Sequence, residues 1–154
     1  SVYSFFRVEL IDGGGLPTAR VLSVDLLPKP AAFPAFGSAS KAYRIRRLRS
    51  LNAQPAVLEE IWLDGDQALQ LSTSELSHSL YLYYRNVLNL WITEAEDQLR
   101  LEPVPQWAPN EFEPTPGTPC LFAARLSRSQ TGETVEYSQN WIDTNVARYV
   151  ARIK

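Results

Sequence analysis

The segment that most restricts the fold is "KAYRIRRLRSL", followed by "NAQ" and "PAVLEEIWLD". Tyr43, Ile45, Arg47 and Arg49 alternate with Arg44, Arg46 and Leu48, which is the period of a β-strand. The three residues Asn52, Ala53 and Gln54 read as a turn and the next ten as the returning strand, so Lys41 to Asp64 is expected to be a β-hairpin. If Leu51 faces Pro55, then Arg49 faces Val57 and Arg47 faces Glu59. Arg47 and Arg49 then share one face of the ribbon, and Arg44 and Arg46 share the other, toward solvent or a partner.

Four arginines within six positions, in a chain of net charge −2, need a reason. With a sequence pI near 5.4 the chain lacks the basic surface of a general nucleic-acid binder. Two readings remain for the inward pair. Arg47 and Glu59 satisfy each other as a cross-strand ion pair on a solvated face, or Arg47 and Arg49 point into a pocket and grip a phosphate or carboxylate through forked hydrogen bonds.

A second anion-friendly feature follows. In "SHSLYLYYRNVLNL", Leu80, Tyr84, Val87 and Leu88 fall at helical spacing, and Ser77 or Ser79 caps the start. Unpaired N–H groups at such a start attract anions, with Ser79 and Tyr81 adding hydroxyls. Plain helix capping is the simpler reading.

The rest of the chain reads as strands and turns. "TARVLSVDLLP" is a strand and "PKPAAFPAFGSAS" is irregular, because its prolines forbid a regular helix. "WITEAEDQLRLEPV" is extended, and "CLFAARLSRS" with "TVEYSQNWID" forms a second hairpin turning at Gly132. "TNVARYVARIK" is expected to be a closing turn or short helix, then a tail. Gly13 to Gly15 mark a flexible break, so residues 1–18 are read as an N-terminal segment with a Gly-rich linker and 19–154 as the main body. The two hairpins share a layout in which Arg47 corresponds to Arg125, Glu59 roughly to Glu136, and Trp62 to Trp141. The expected architecture is α+β, an antiparallel sheet of about six strands with helices on one side.

Catalytic and metal motifs are sparse. His78 is the only histidine and Cys120 the only cysteine, so no disulfide framework, Cys-based zinc site or other metal site is expected. A single cysteine suits a reducing cytoplasm. No P-loop, dinucleotide fingerprint or G-x-S-x-G occurs, and no cofactor is expected. No apolar run is long enough for a membrane span. Glu59 and Glu136 are candidates for acid–base work, for hydrogen bonds to sugar or amine groups, or for pairing with arginine. The tryptophans read as core or interface.

Taken in order, "YRIRRLRSLNAQPAVLEEIWL", "LSHSLYLYY" and "GTPCLFAARLSRSQTGETVEYSQNWIDTNVARYV" resemble the UTRA domain, the effector-binding module of the HutC branch of GntR-type bacterial transcription regulators. The resemblance spans Ala19 to Arg152. "YSFF" also resembles the aromatic segment that follows the DNA-binding domain in such regulators. The resemblance implies a chorismate-lyase-like fold with a pocket on a central antiparallel sheet, a small anionic metabolite such as a sugar phosphate or carboxylate as effector, a homodimer, and a DNA-binding winged helix upstream of Ser1. It implies that Arg47 and Arg49 grip the anion, Ser79 and Tyr81 form the phosphate-side helix start, Glu59 and Glu136 read polar groups, and Phe5 or Phe6 sits near the pocket mouth. The turn "NAQP" departs from the family, which often has glycine at the place of Ala53, and the proline-rich segment before Tyr43 stands where members commonly have a helix. An enzyme of the lyase type is the alternative that the same fold allows. Its arginines would hold the carboxylates of a chorismate-like acid, and Glu136 or Glu59 would act on the leaving group.

Overall fold

Strands β3 (Lys41–Leu51) and β4 (Gln54–Asp64) form the expected hairpin in a computed structural model that describes residues 5–76 and 79–154. The turn is tighter than anticipated: Leu51 pairs with Gln54 and Ser50 with Pro55, and a bulge at Ala56 then restores the pairing of Arg49 with Val57 and Arg47 with Glu59. Asn52 and Ala53 both take positive φ, 49° and 65°, as a two-residue turn matched to strand twist demands.

The other long strands are β2 (Pro17–Pro28), β5 (Ile92–Pro103), β6 (Pro119–Ser129) and β7 (Thr134–Ile142). They join the hairpin in a six-stranded antiparallel sheet of order β2-β3-β4-β7-β6-β5. The order is that of a duplicated three-strand unit joined through β4 and β7. Within it Arg47 faces Glu59, with Trp62 three residues further on, and Arg125 faces Ser138, with Trp141 three residues further on. Arg47 and Arg125 are therefore equivalent, as are Trp62 and Trp141. The expected match of Glu59 to Glu136 is corrected: the counterpart of Glu59 is Ser138, two residues away on the same face.

In place of the expected helices, the described residues contain one α-helix, α1 (Leu80–Leu88), which packs on the sheet and is preceded by two short 3-10 turns. It buries Leu80, Tyr83 and Tyr84 against Tyr43, Ile45, Ile61 and Leu63, while Val87, expected on the apolar stripe, is half exposed. Ser79 Oγ accepts a hydrogen bond from the Leu82 amide at 3.3 Å, and Asn89, in the left-handed region at φ 53°, ends the helix. Ser77 and His78 lie outside the described residues.

The last segment closes in the expected turn at residues 144–146 and then continues as strand rather than helix. β8 (Ala147–Tyr149) pairs with β1 (Val8–Leu10), which approaches from the other end of the chain. Residues 11–16 form a hydrogen-bonded turn rather than a loose break: Gly13 N donates to Leu10 O at 2.7 Å, Leu10 N to Gly14 O at 2.9 Å and Leu16 N to Asn52 Oδ1 at 2.8 Å. The β1–β8 pair covers Val57, Ala123 and Ile142 on the same sheet face as α1. Between these two apolar clusters the face is polar.

The opposite face is closed by loops. Residues 29–40 cover Trp62 and Tyr137, and the segment carrying Val104 and Phe112 covers Phe122 and Trp141. Trp62 and Trp141 are thus core residues. Arg44 and Arg46 lie on this side and are internally paired, Arg44 with Asp25 at 3.2 Å and Arg46 with Glu60 at 3.0 Å. None of the described helices is long and apolar enough to cross a membrane.

Candidate functional site

A cavity of about 110 Å³ occupies the polar gap between α1 and the β1–β8 pair. Strand alternation sets its floor. Successive cross-strand rows on this face read Arg47–Glu59–Asn140–Ala123 and Ile45–Ile61–Ser138–Arg125–Asp97, with Arg49 and Glu136 two residues beyond along their own strands. All seven residues singled out from the sequence, Phe5, Arg47, Arg49, Glu59, Ser79, Tyr81 and Glu136, line this one cavity, and Phe6 does too.

Neither reading of the arginine pair was complete. Arg47 and Glu59 do form an ion pair, yet on a buried face and with Arg49 as a third member. Nε and Nη2 of Arg47 lie 2.9 and 2.8 Å from Glu59 Oε1, and Arg49 Nε lies 3.1 Å from Oε2. The three residues are 2, 4 and 7% exposed. Two guanidinium groups share one carboxylate, which leaves one positive charge in excess. Burial pushes the Glu59 carboxyl up, but the charges and hydrogen bonds of Arg47 and Arg49 outweigh it and hold Glu59 below the usual carboxylate range. Burial pulls the Arg47 pKa down against the attraction of Glu59, and neighbouring Arg49 adds to the fall.

Glu136 is held differently. Its Oε2 accepts from Tyr84 Oη at 2.5 Å, and its Oε1 accepts from Tyr81 Oη at 3.1 Å and Ser127 Oγ at 3.0 Å. Burial raises its pKa and wins over the hydrogen bonds from Tyr84, Ser127 and Tyr81 and the more distant charge of Arg125. The two carboxyls, grouped together from the sequence, therefore titrate in opposite directions. Tyr81 and Tyr84 are themselves pushed up by burial and by Glu136, so both remain hydroxyl donors.

Sequence reasoning passed over the cavity's second ion pair. Arg125 Nε and Nη2 clasp Asp97 Oδ1 and Oδ2 at 2.6 and 2.9 Å. Arg125 and Tyr149 hold Asp97 below the usual range despite burial. The signal for Arg125 was its match to Arg47 in the repeat. Asp97 had none, since only the β5–β6 register shows which acid of "TEAEDQ" faces inward. Ser138 and Asn140 were also passed over, as small polar residues that become floor only through β7's central position.

The arrangement can receive a small ligand with an anionic group at the Arg47–Arg49 corner, beside the start of α1, and with hydroxyl or amine groups toward Glu136, Ser138 and Asn140. Among the described residues no group of three or more His, Cys, Asp or Glu side chains is placed to hold a metal ion.

Comparison with known proteins supplies context. A family model described as the UTRA domain matches residues 12–148. The chain is 53% identical over its full 154 residues to the HTH-type transcriptional regulator SmoD of Agrobacterium fabrum, and it spans 66% of that relative's length. Among solved structures, one described as the ligand-binding domain of a GntR-family transcriptional regulator from Bordetella bronchiseptica is similar with a TM-score of 0.83, at 22% identity and with 99% of each chain covered. The effector domain of PhnF from Mycobacterium smegmatis has a TM-score of 0.69 at 12% identity, over 84% of this chain and 82% of that one. At these identities the structural likeness carries the fold.

Proposed function

The chain belongs to the UTRA domain family, and from that premise we propose that it is the sensor portion of a longer transcription regulator, binding an anionic metabolite such as a sugar phosphate or carboxylate in the cavity described above. The effector favours one arrangement of the regulator over another and so changes DNA binding by a separate winged-helix domain. The domain binds and does not catalyse, its fold is of the chorismate-lyase kind, and it acts in the cytoplasm as a homodimer. An edge strand, β5, on which Leu99 and Leu101 are exposed, supports the pairing of copies.

The observation that carries this reading is the buried Arg47–Glu59–Arg49 cluster, with its excess positive charge, on the wall of a cavity beside a serine-capped helix start. A ligand anion reaching this corner meets two buried guanidinium groups already oriented by one carboxylate. Arg47 and Arg49 grip the anion, Ser79 and Tyr81 contact it from α1, Glu59 and Glu136 read its polar groups, and Phe5 closes the wall.

The test is thermal denaturation with glucose 6-phosphate, gluconate and inorganic phosphate, extended to other sugar phosphates and hydroxy acids. A ligand that binds only the native state stabilises by about 2.7 kcal/mol at one hundred times its Kd. The expected result is a rise in Tm with at least one anion, absent in Arg49→Lys, which keeps charge but loses the planar fork. No rise across the panel overturns the sensor reading. Release of pyruvate from chorismate would overturn the assignment as a binding domain.

A further inference from the structure

The duplicated halves each bring one arginine to the cavity floor, but the two are wired differently. Arg47 faces Val21 on the outer strand and Glu59 on the inner one, so its carboxylate partner comes from within the floor. Arg125 faces Asp97 on the outer strand and Ser138 on the inner one, so it is drawn to the other side. Three strand spacings, about 14 Å across the sheet, and two residues along it separate the two arginines.

Arg125 there holds the start of the described chain. Its Nη2, already on Asp97, also donates to the Phe5 carbonyl at 2.6 Å. Tyr149 of β8 donates to Asp97 Oδ2 at 2.5 Å, and β8 carries β1. The same short segment touches the cavity twice more. The Phe6 ring lies 4.8 Å from the Arg49 guanidinium, and the Phe5 ring meets Tyr81 edge-on at 5.8 Å. Phe5 and Phe6 thus contact one cavity residue from β3, one from α1 and one from β6.

We propose that the Phe5–Phe6 segment is the output element of the cavity and that Arg125 is the positioning residue coupling the two. The inference rests on the sensor reading above. A carboxylate or phosphate oxygen entering the cavity competes with the Phe5 carbonyl for Arg125. The neutral carbonyl is the weaker acceptor for a guanidinium, because an anionic oxygen adds charge–charge attraction. Occupancy at the Arg49 corner and at Tyr81 disturbs the two ring contacts in the same event. Asp97 keeps the guanidinium in place while its second partner changes, so the exchange releases the segment without unfolding the site.

Hydrogen exchange followed by mass spectrometry tests this in two arms on the same chain. Without ligand, Arg125→Gln is expected to speed exchange in residues 5–11 about tenfold while residues 57–64 keep wild-type protection. Phe6→Leu, which leaves the Arg125–Asp97 pair intact, is the second variant should Arg125→Gln fold poorly, and the same regional pattern is expected at smaller amplitude. With a panel anion that raises Tm, starting from glucose 6-phosphate and gluconate, exchange in residues 5–11 should change in the wild type. It should stay constant in Arg125→Gln, measured at an anion concentration raised until its Tm rise equals that of the wild type. Unchanged exchange of residues 5–11 in both variants overturns the tether, and a bound anion that leaves that segment's exchange unaltered in the wild type overturns the output role. A panel with no Tm rise removes the sensor reading itself and the output role with it.

Discussion

Arg47 and Glu59 sit directly opposite each other at the centre of the sheet, and the carboxylate of Glu59 is divided between Arg47 on one oxygen and Arg49 on the other. One side chain thereby orients two buried cations.

Glu59→Gln is expected to destabilise the protein by about 3–5 kcal/mol, because two buried guanidinium groups lose their shared counter-charge. Urea denaturation at neutral pH measures it. A loss below about 1 kcal/mol would mean that the cluster is hydrated enough to stand without Glu59.

The two buried glutamates make opposite contributions to stability against pH. Glu59 has a lowered folded pKa, so its contribution is present above the unfolded value of about 4.3 and disappears as pH falls through the folded value. Glu136 has a raised folded pKa, so its contribution is full below about pH 4.3 and is lost as pH rises through the folded value. Relative to Glu136→Gln, the wild type is expected to lose stability as pH rises from about 4.3 through the raised folded value. Urea midpoints at acid and at neutral pH give the difference, and a constant offset would contradict it.

Gly37 sits at φ 61° against the buried Asp64, and a Cβ there would lie 2.1 Å from Asp64 Cγ. Asp64 also holds Lys29 at 2.5 Å and the Ala39 amide at 3.1 Å, which fastens residues 29–40 over Trp62. Gly37→Ala is expected to cost roughly 2–3 kcal/mol from backbone strain and the displaced aspartate. The matching fall in Tm is about 4–12 °C.

Ala53 occupies a left-handed position, φ 65°, at the tip of the β3–β4 hairpin. Ala53→Gly relieves that strain, partly offset by the greater freedom of glycine in the unfolded chain. The expected gain is about 0.5 kcal/mol, read as a Tm rise of 1–2 °C, with no change in ligand response. A fall in Tm would show that the turn tolerates alanine better than its dihedral implies.

The sequence alone determined what local physics controls. Alternation placed Arg47 and Arg49 on one face and brought Arg47 to Glu59, helical spacing and a serine cap located the start of α1, and prolines made residues 29–40 a loop. Each depends on neighbours a few residues away, so the pattern survives without knowledge of the rest of the chain. Tertiary structure decided the remainder. β8 was misread because its partner, β1, lies at the opposite end of the chain and strand pairing at that distance leaves no periodic mark. Asp97 and Ser138 became cavity residues only through the β5–β6 and β6–β7 registers. Burial separated Glu59 from Glu136, which look alike in one dimension: a carboxylate's pKa follows the charges and hydroxyls packed around it, and those arrive from strands and a helix distant in the chain.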